Sequence, residues 1–336
     1  MKVFSIYPYF LGLKIPKICP VCYSKSVIKK GKRKGNQRYH CNDCFHNFTG
    51  HNQGVSYHNQ FVWFKKWIME RQVYKYLIRD SGMSQSTIQR LFNRYLASPP
   101  KNIIRSKSNV HLLIDATYFT NGLCLVLYYD CDIQYVQLFR HTRKEKYKEI
   151  KEDLDNLKKI GVEVYSVTCD GHKSILNAVK RIYPGAIIQR CVVHVKRQSA
   201  SWLGQYPKLQ LSRELLFISN QVTKLNTIDD VNNWLVYFHK WYEKNEAFIN
   251  EQSLSESTAR MWYTHKNLHA ACVHLINALP HLFSYINDVE IPRTTNELEG
   301  YFTHLKEKLT LHRGLRFDKK KSFIKWYLYF KNNKAK

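Results

Sequence analysis

VHLLIDATYF (residues 110–119), GLCLVLYYD (122–130) and IQYVQLFR (133–140) are three short β-like runs. Turns separate them at Thr120-Asn121-Gly122 and near Asp130–Asp132. They read as an antiparallel meander. An amphipathic helix is expected over about Lys144–Ile160. A buried strand, VEVYSVTCD (162–170), leads into a helix, HKSILNAVKRIYP (172–184). A short strand, AIIQR (186–190), precedes a further helix, CVVHVKRQSASWL (191–203). The order is β-β-β-α-β-α-β-α, an α/β arrangement.

That order is the one found in the ribonuclease H-like fold. There the first and fourth strands are neighbours, which would bring Asp115 and Asp170 together. Their separation in sequence would not do so by itself. Each of these Asp residues ends an apolar run, and Glu299 opens a basic amphipathic stretch, IPRTTNELEGYFTHLKEKLTLHRG (291–314). Carboxylates at strand ends, with a third on a late helix, suit two hard divalent cations. A lone strand-end Asp is usually a turn residue. Three in this order and context are read as Asp-Asp-Glu metal ligands and catalytic groups. Asp130, Asp132, Asp153 and Asp155 are read as turn and helix-surface charges.

Outward from this core the charge is uneven. The chain of 336 residues carries a net +27. Residues 1–110 hold 20 Lys and Arg against three acidic residues, and 302–336 hold 11 against two. Residues 111–301 are nearly balanced, 22 against 21. Basic ends around a neutral middle favour a nucleic-acid partner over a membrane surface. The opening MKVFSIYPYFLGLKIPK shows no signal-peptide cleavage pattern. A cytoplasmic, nucleoid-associated protein of a prokaryote is expected.

Four of the nine Cys form one pattern, Cys19-x2-Cys22 and Cys41-x2-Cys44, with a basic turn between the pairs. Each CxxC can aim two thiolates at one ion, and a hairpin between them completes a tetrahedral site. A zinc ribbon over 1–55 is expected, its Zn²⁺ structural because four thiolates leave no open position. Arg33 and Lys34 sit at the hairpin tip, suited to DNA. Residues 56–100 read as a helix-turn-helix, broken at SGMS (81–84), with Ser84 as N-cap. Its exposed face would present Gln85, Ser86, Gln89 and Arg90 to DNA. SPPKN (98–102) is a linker. The first part of the core spans 101–207, an all-helical insertion 208–290, and the Glu299 helix with a basic tail 291–336.

Two stretches carry a resemblance: CDGHKSILNAVKRIYPGAIIQRCVVHVKR (169–197), and WYTHKNLHAA (262–271) followed by the IPRTTNELEG segment. The chain resembles bacterial insertion-sequence transposases of the Mutator-like class, in a variant with an N-terminal zinc ribbon. The resemblance implies a ribonuclease H-like core, an Asp-Asp-Glu triad, Mg²⁺ or Mn²⁺ dependence and DNA strand transfer. It implies an auxiliary Cys191-x2-His194 after the second Asp. It also implies a third carboxylate three residues after Asn296, which selects Glu299 over Glu297. Two residues apart is about 200° around a helix, so both cannot face one site. Asp115 would bridge two ions, with Asp170 and Glu299 holding one each.

Trp262 would stack on an unpaired base. Lys306, Arg313 and Arg316 would meet phosphates. The partner would be double-stranded DNA, both transposon ends and target, bound by a homodimer or larger synaptic complex. The alternatives are a DNA-binding regulator or domesticated transposase without catalysis, and a nuclease acting on branched nucleic acid.

Overall fold

The computed structural model describes the backbone of residues 18–19, 22, 24–33, 35–49, 53–254 and 260–333, and their side chains except at 53–59 and 121. Two compact units divide the chain, Met1–Tyr95 and Leu96–Lys336.

In the first unit, β1 (Val27–Arg33), β2 (Asn36–Cys41) and β3 (Asn47–Thr49) form an antiparallel sheet in that order. Three helices follow: α1 (Gln53–Met69), α2 (Tyr74–Ser81) and α3 (Gln85–Ala97). Their aromatic and aliphatic residues share one core. Phe64, Trp67, Ile68, Leu77, Ile88 and Phe92 are buried, and Trp67 stacks on Phe92 at 4.7 Å. Gly82 ends α2 in a left-handed conformation, φ 68°, and its N–H closes on the Ile78 carbonyl at 3.0 Å. Ser84 Oγ then accepts the Thr87 N–H at 3.3 Å and caps α3.

The second unit is built on a mixed five-stranded sheet. Its elements are β4 (Lys107–Phe119), β5 (Leu123–Asp130), β6 (Tyr135–Thr142), α4 (Tyr147–Lys159), β7 (Val162–Cys169), α5 (Lys173–Ile182), β8 (Ile187–Arg190) and α6 (Val192–Leu203). The strand order is β6-β5-β4-β7-β8. β4, β5 and β6 pair antiparallel, while β7 and β8 continue the sheet in parallel with β4. Alternation sorts the side chains. Val110, Leu112 and Ile114 of β4 face Ile150, Leu154 and Leu157 of α4 and Ile175 and Val179 of α5. The i, i+4, i+7 spacing on α4 is the apolar stripe that seats it on the sheet.

Next come α7 (Gln210–Gln221), α8 (Ile228–Ile249), β9 (Gln252–Leu254), β10 (Met261–Tyr263), α9 (Lys266–Ala278) and α10 (Ser284–Asn287). With α6 they enclose a second core, centred on Leu215, Ile218, Trp234, Phe238, Leu268 and Leu275. Thr227 and Asp230 form a reciprocal capping box that starts α8. The reading of 208–290 as all-helical is corrected here: β9 and β10 form an antiparallel hairpin. Met-Trp-Tyr, aromatic and apolar, favours strand. The chain then returns to the sheet as α11 (Asn296–Leu311) and α12 (Phe317–Asn332), which lie against β4 and β6 respectively. No helix among the described residues is long and apolar enough to cross a membrane.

Candidate active site and metal centres

The parallel pairing of β4 with β7 matches Ile114 to Cys169. Asp115 is the next residue on β4 and Asp170 the first beyond β7, so the two are neighbours, and the Asp170 charge acts on Asp115. Asp115 is only 6% exposed, and its Oδ1 accepts the Ala116 N–H at 2.8 Å. Burial, with the charges of Asp170 and Glu145 adding and His194 opposing, pushes its pKa up to about 7. A group raised in the folded state binds more protons there than when unfolded. Between about pH 4 and 7 stability must therefore fall as pH rises. Asp115→Asn removes that penalty. The expected result is a more stable protein at pH 8, by on the order of 3 kcal/mol, with the gain vanishing near pH 4. Thermal melts of both proteins across this range check it, and equal melts at pH 8 would contradict it.

Beyond Cys169 the chain turns sharply. Asp170 Oδ1 accepts the His172 N–H at 2.8 Å. Gly171 sits at φ +88°, and a Cβ there would lie 2.1 Å from Arg190 Nε. Only glycine fits both the conformation and the space. Arg190 is buried, Nη2 donates to the Asp170 carbonyl at 3.3 Å, and burial lowers its pKa.

Cys191 and His194 fasten this turn to α11. The Cys191 N–H bonds the Cys169 carbonyl at 2.7 Å, and the Val192 N–H bonds the Arg293 carbonyl at 3.2 Å. The Thr295 N–H donates to Cys191 Sγ at 3.4 Å, and Thr295 Oγ1 meets His194 Nδ1 at 3.3 Å. His194 Nε2 lies 3.6 Å from Glu299 Oε1. The Cys191 hydrogen bond, with Asp115 and Asp170, holds His194 up to about 9. Burial would push the Cys191 thiol up, but the His194 bond and charge bring it below its ordinary value. Both shifts favour the charged pair. His194 is thus the common neighbour of all three carboxylates.

Glu297 and Glu299 leave α11 in different directions. Glu297 reaches Tyr129, whose phenol is raised by burial and then by the Glu297 charge. Glu299 is engaged by His194 and by the guanidinium of Arg197. Among the described residues, only the four ribbon Cys close tightly enough to share an ion as they stand.

Sequence reasoning missed two groups here. Glu145, just before α4, accepts from the Tyr118 hydroxyl at 3.2 Å. Burial and then the Asp170 charge raise its carboxyl. It lies in a run of alternating charges, RKEKYKE, that looks like any solvated helix start. Arg197 could have been found, because it follows His194 by three residues on the same helix. Asp153 is corrected, while Asp130 keeps its turn role, accepting the Asp132 N–H at 3.1 Å. Asp153 is buried, accepting from Tyr128 Oη at 2.9 Å and from Arg140 at 2.6 and 2.7 Å. Asp130 is fully buried and accepts from Gln137 at 3.1 Å.

In the first unit, Cys19 Sγ lies 3.4 Å from Cys44 Sγ, and Cys22 Sγ 3.5 Å from Cys41 Sγ. All four sulfurs fall within 4.8 Å of one another. Two backbone hydrogen bonds frame the cluster: the Cys19 N–H bonds the Ser24 carbonyl, and the Cys41 N–H bonds the His46 carbonyl. Four soft thiols in one cluster could hold a structural zinc.

Arg33, Gln85, Gln89 and Arg90 are exposed, as are Lys306, Arg313 and Arg316. Lys34 lies outside the described residues. Trp262 on β10 is 48% exposed.

Comparison with known proteins adds one match of sequence. The family model described as Transposase, Mutator family, matches residues 138–254, which supports a Mutator-like transposase. The matched segment contains Asp170, Cys191, His194 and Arg197 and leaves Asp115 and Glu299 outside it. No curated protein matches. One solved structure is similar at 14% identity, entitled "CryoEM structure of simian T-cell lymphotropic virus intasome in complex with PP2A regulatory subunit B56 gamma". The likeness covers 55% of this chain and 65% of that one with a TM-score of 0.19, so it carries no argument.

Proposed function

We propose that this chain is a DNA transposase with a ribonuclease H-like core. It would bind the terminal inverted repeats of its own element, cut the strand there and join the freed 3′ end to target DNA. The observation that carries this reading is Asp115 on β4 next to Asp170 at the end of the neighbouring parallel strand, the latter inside the Mutator-family segment. The strand order supports the fold assignment, with an antiparallel meander extended by two parallel strands.

Asp115, Asp170 and Glu299 would hold Mg²⁺ or Mn²⁺. Their oxygen donors suit hard cations. The raised Asp115 carboxyl is that of a buried acid crowded by like charge, which a divalent cation would relieve. Two such ions, when bound, supply an activated nucleophile and stabilise the leaving oxygen. To serve there, Glu299 gives up Arg197, whose guanidinium is then free for a phosphate. Cys191 and His194 act on position. They tie the strand end that bears Asp170 to the helix that bears Glu299.

Arg33, Lys34, Gln85, Gln89 and Arg90 would read the element's ends. Trp262 would stack on an unpaired base, and Lys306, Arg313 and Arg316 would hold phosphates. Two ends must be processed together, so a dimer or larger assembly is expected.

The test is nicking of a labelled duplex carrying the element's end, with Mg²⁺ or with EDTA. Metal-dependent nicking at the boundary supports the transposase. Tight end binding with no cutting under either condition would instead make this chain a DNA-binding regulator.

A further inference from the structure

A groove of about 600 Å³ opens between the end of β4 and the helices α11 and α12. Phe119 and Leu123 line it on one side, with Tyr118 at its margin, and Lys306, Arg313 and Lys320 supply charge on the other. None of the described residues lining it is acidic. We infer that this groove takes an unpaired segment of DNA strand next to the cleaved phosphate, with a base against Phe119 and phosphates on the three cations. This rests on the transposase reading and specifies its substrate further.

Three observations converge. The first is position. Tyr118 and Phe119 lie three and four residues beyond Asp115 on the same strand, so Phe119 is about 13 Å from it along β4. A stacked strand covers that in about four nucleotides. The second is the aromatic surface. Phe119 is only partly covered, at the end of a central strand whose larger apolar residues are buried. In a duplex the base faces are already stacked on each other, so only an unpaired base can offer one to this ring. The third is charge. Lys306 Nζ stands 6.0 Å from the centre of the Phe119 ring, which sets a cation at the rim of the aromatic wall. Arg313 and Lys320 extend the positive edge along the groove. Phosphates every few ångströms fit such a row, and stacking tolerates any base. This groove is separate from Trp262, which lies on the β9–β10 hairpin.

The test is equilibrium binding of the full chain, in EDTA, to two duplexes carrying the element's end. One is flush, and the other has a short unpaired tail with 2-aminopurine next to the boundary. The expected result is tighter binding of the tailed duplex, by on the order of 10-fold, with quenched 2-aminopurine fluorescence. Phe119→Leu, which retains apolar packing, should abolish both the preference and the quenching while flush-duplex binding stays. Lys306→Gln with Arg313→Gln should weaken tailed binding and flatten its salt dependence by about one unit of slope per lost contact. Equal wild-type affinity for the two duplexes would overturn the groove assignment and leave the transposase reading standing. So would a tail preference that survives Phe119→Leu. Failure to bind either duplex would overturn both.

Discussion

Asp170→Asn and Glu299→Gln should each lower metal-dependent nicking of an element-end duplex by roughly 10³-fold, with binding of that duplex little changed. The size follows from the chemistry. A divalent cation contributes several kcal/mol to a phosphoryl transition state, and each 1.36 kcal/mol is tenfold in rate. Removing one of three carboxylates leaves a hard cation short of anionic donors at the point where charge develops. Binding should survive because the recognition residues proposed for the element's end, Gln85, Gln89 and Arg90, belong to α3 in the other unit. The two substitutions should differ in one respect. Glu299→Gln also frees Arg197 and His194 from their carboxylate partner, so it should raise affinity for DNA slightly at low salt. Single-turnover nicking and an anisotropy titration measure the two effects separately. Nicking within tenfold of wild type in either variant would contradict the assigned triad.

The second large effect concerns zinc. Cys41→Ser, or prolonged chelation, should unfold β1–β3 and abolish tight end binding, leaving unit Leu96–Lys336 folded. Among the described residues of the ribbon the core is small: Cys19, Cys41 and Phe48 are buried, with Val27, Tyr39 and Cys44 packed on them. So small a sheet cannot offset its ordering entropy. Zinc binding in such domains supplies about 10–16 kcal/mol, and that is the folding energy. Zinc content by metal analysis should fall from one ion per chain to none. Amide exchange should rise across Val27–Cys41 while β4–β8 stay protected. Protection of β1 and β2 that persists without zinc would contradict a metal-dependent ribbon.

Much of this was legible in the chain because the signals were local. Paired CxxC motifs specify their own cluster, and the apolar run ended by Asp170 specifies a strand end, whereas Asp115, read as a strand end, lies inside β4, which runs on to Phe119. Their adjacency required the strand order, which the succession of runs suggests and the parallel β4–β7 pairing realises. Other features depend on contacts across the fold and leave no local trace. Glu145 approaches Asp170 only because α4 packs back on the sheet. Asp153 reads as a surface charge on α4, yet Arg140 and Tyr128 reach it from the sheet and hold it inside. The hairpin at β9–β10 was masked by helices on both sides of it. The contrast between Glu297 and Glu299 combined both kinds of signal. Helix geometry says the two must diverge, while only the fold shows that Tyr129 awaits one and His194 with Arg197 the other.

That divergence gives the most direct test of the proposed catalytic triad. Nicking of the labelled element-end duplex in Mg²⁺ is compared for wild type, Glu297→Gln and Glu299→Gln. Activity in wild type and Glu297→Gln, with loss in Glu299→Gln, is the predicted result. Equal activity in both variants, or loss confined to Glu297→Gln, would contradict the assignment of Glu299 to the metal-holding site.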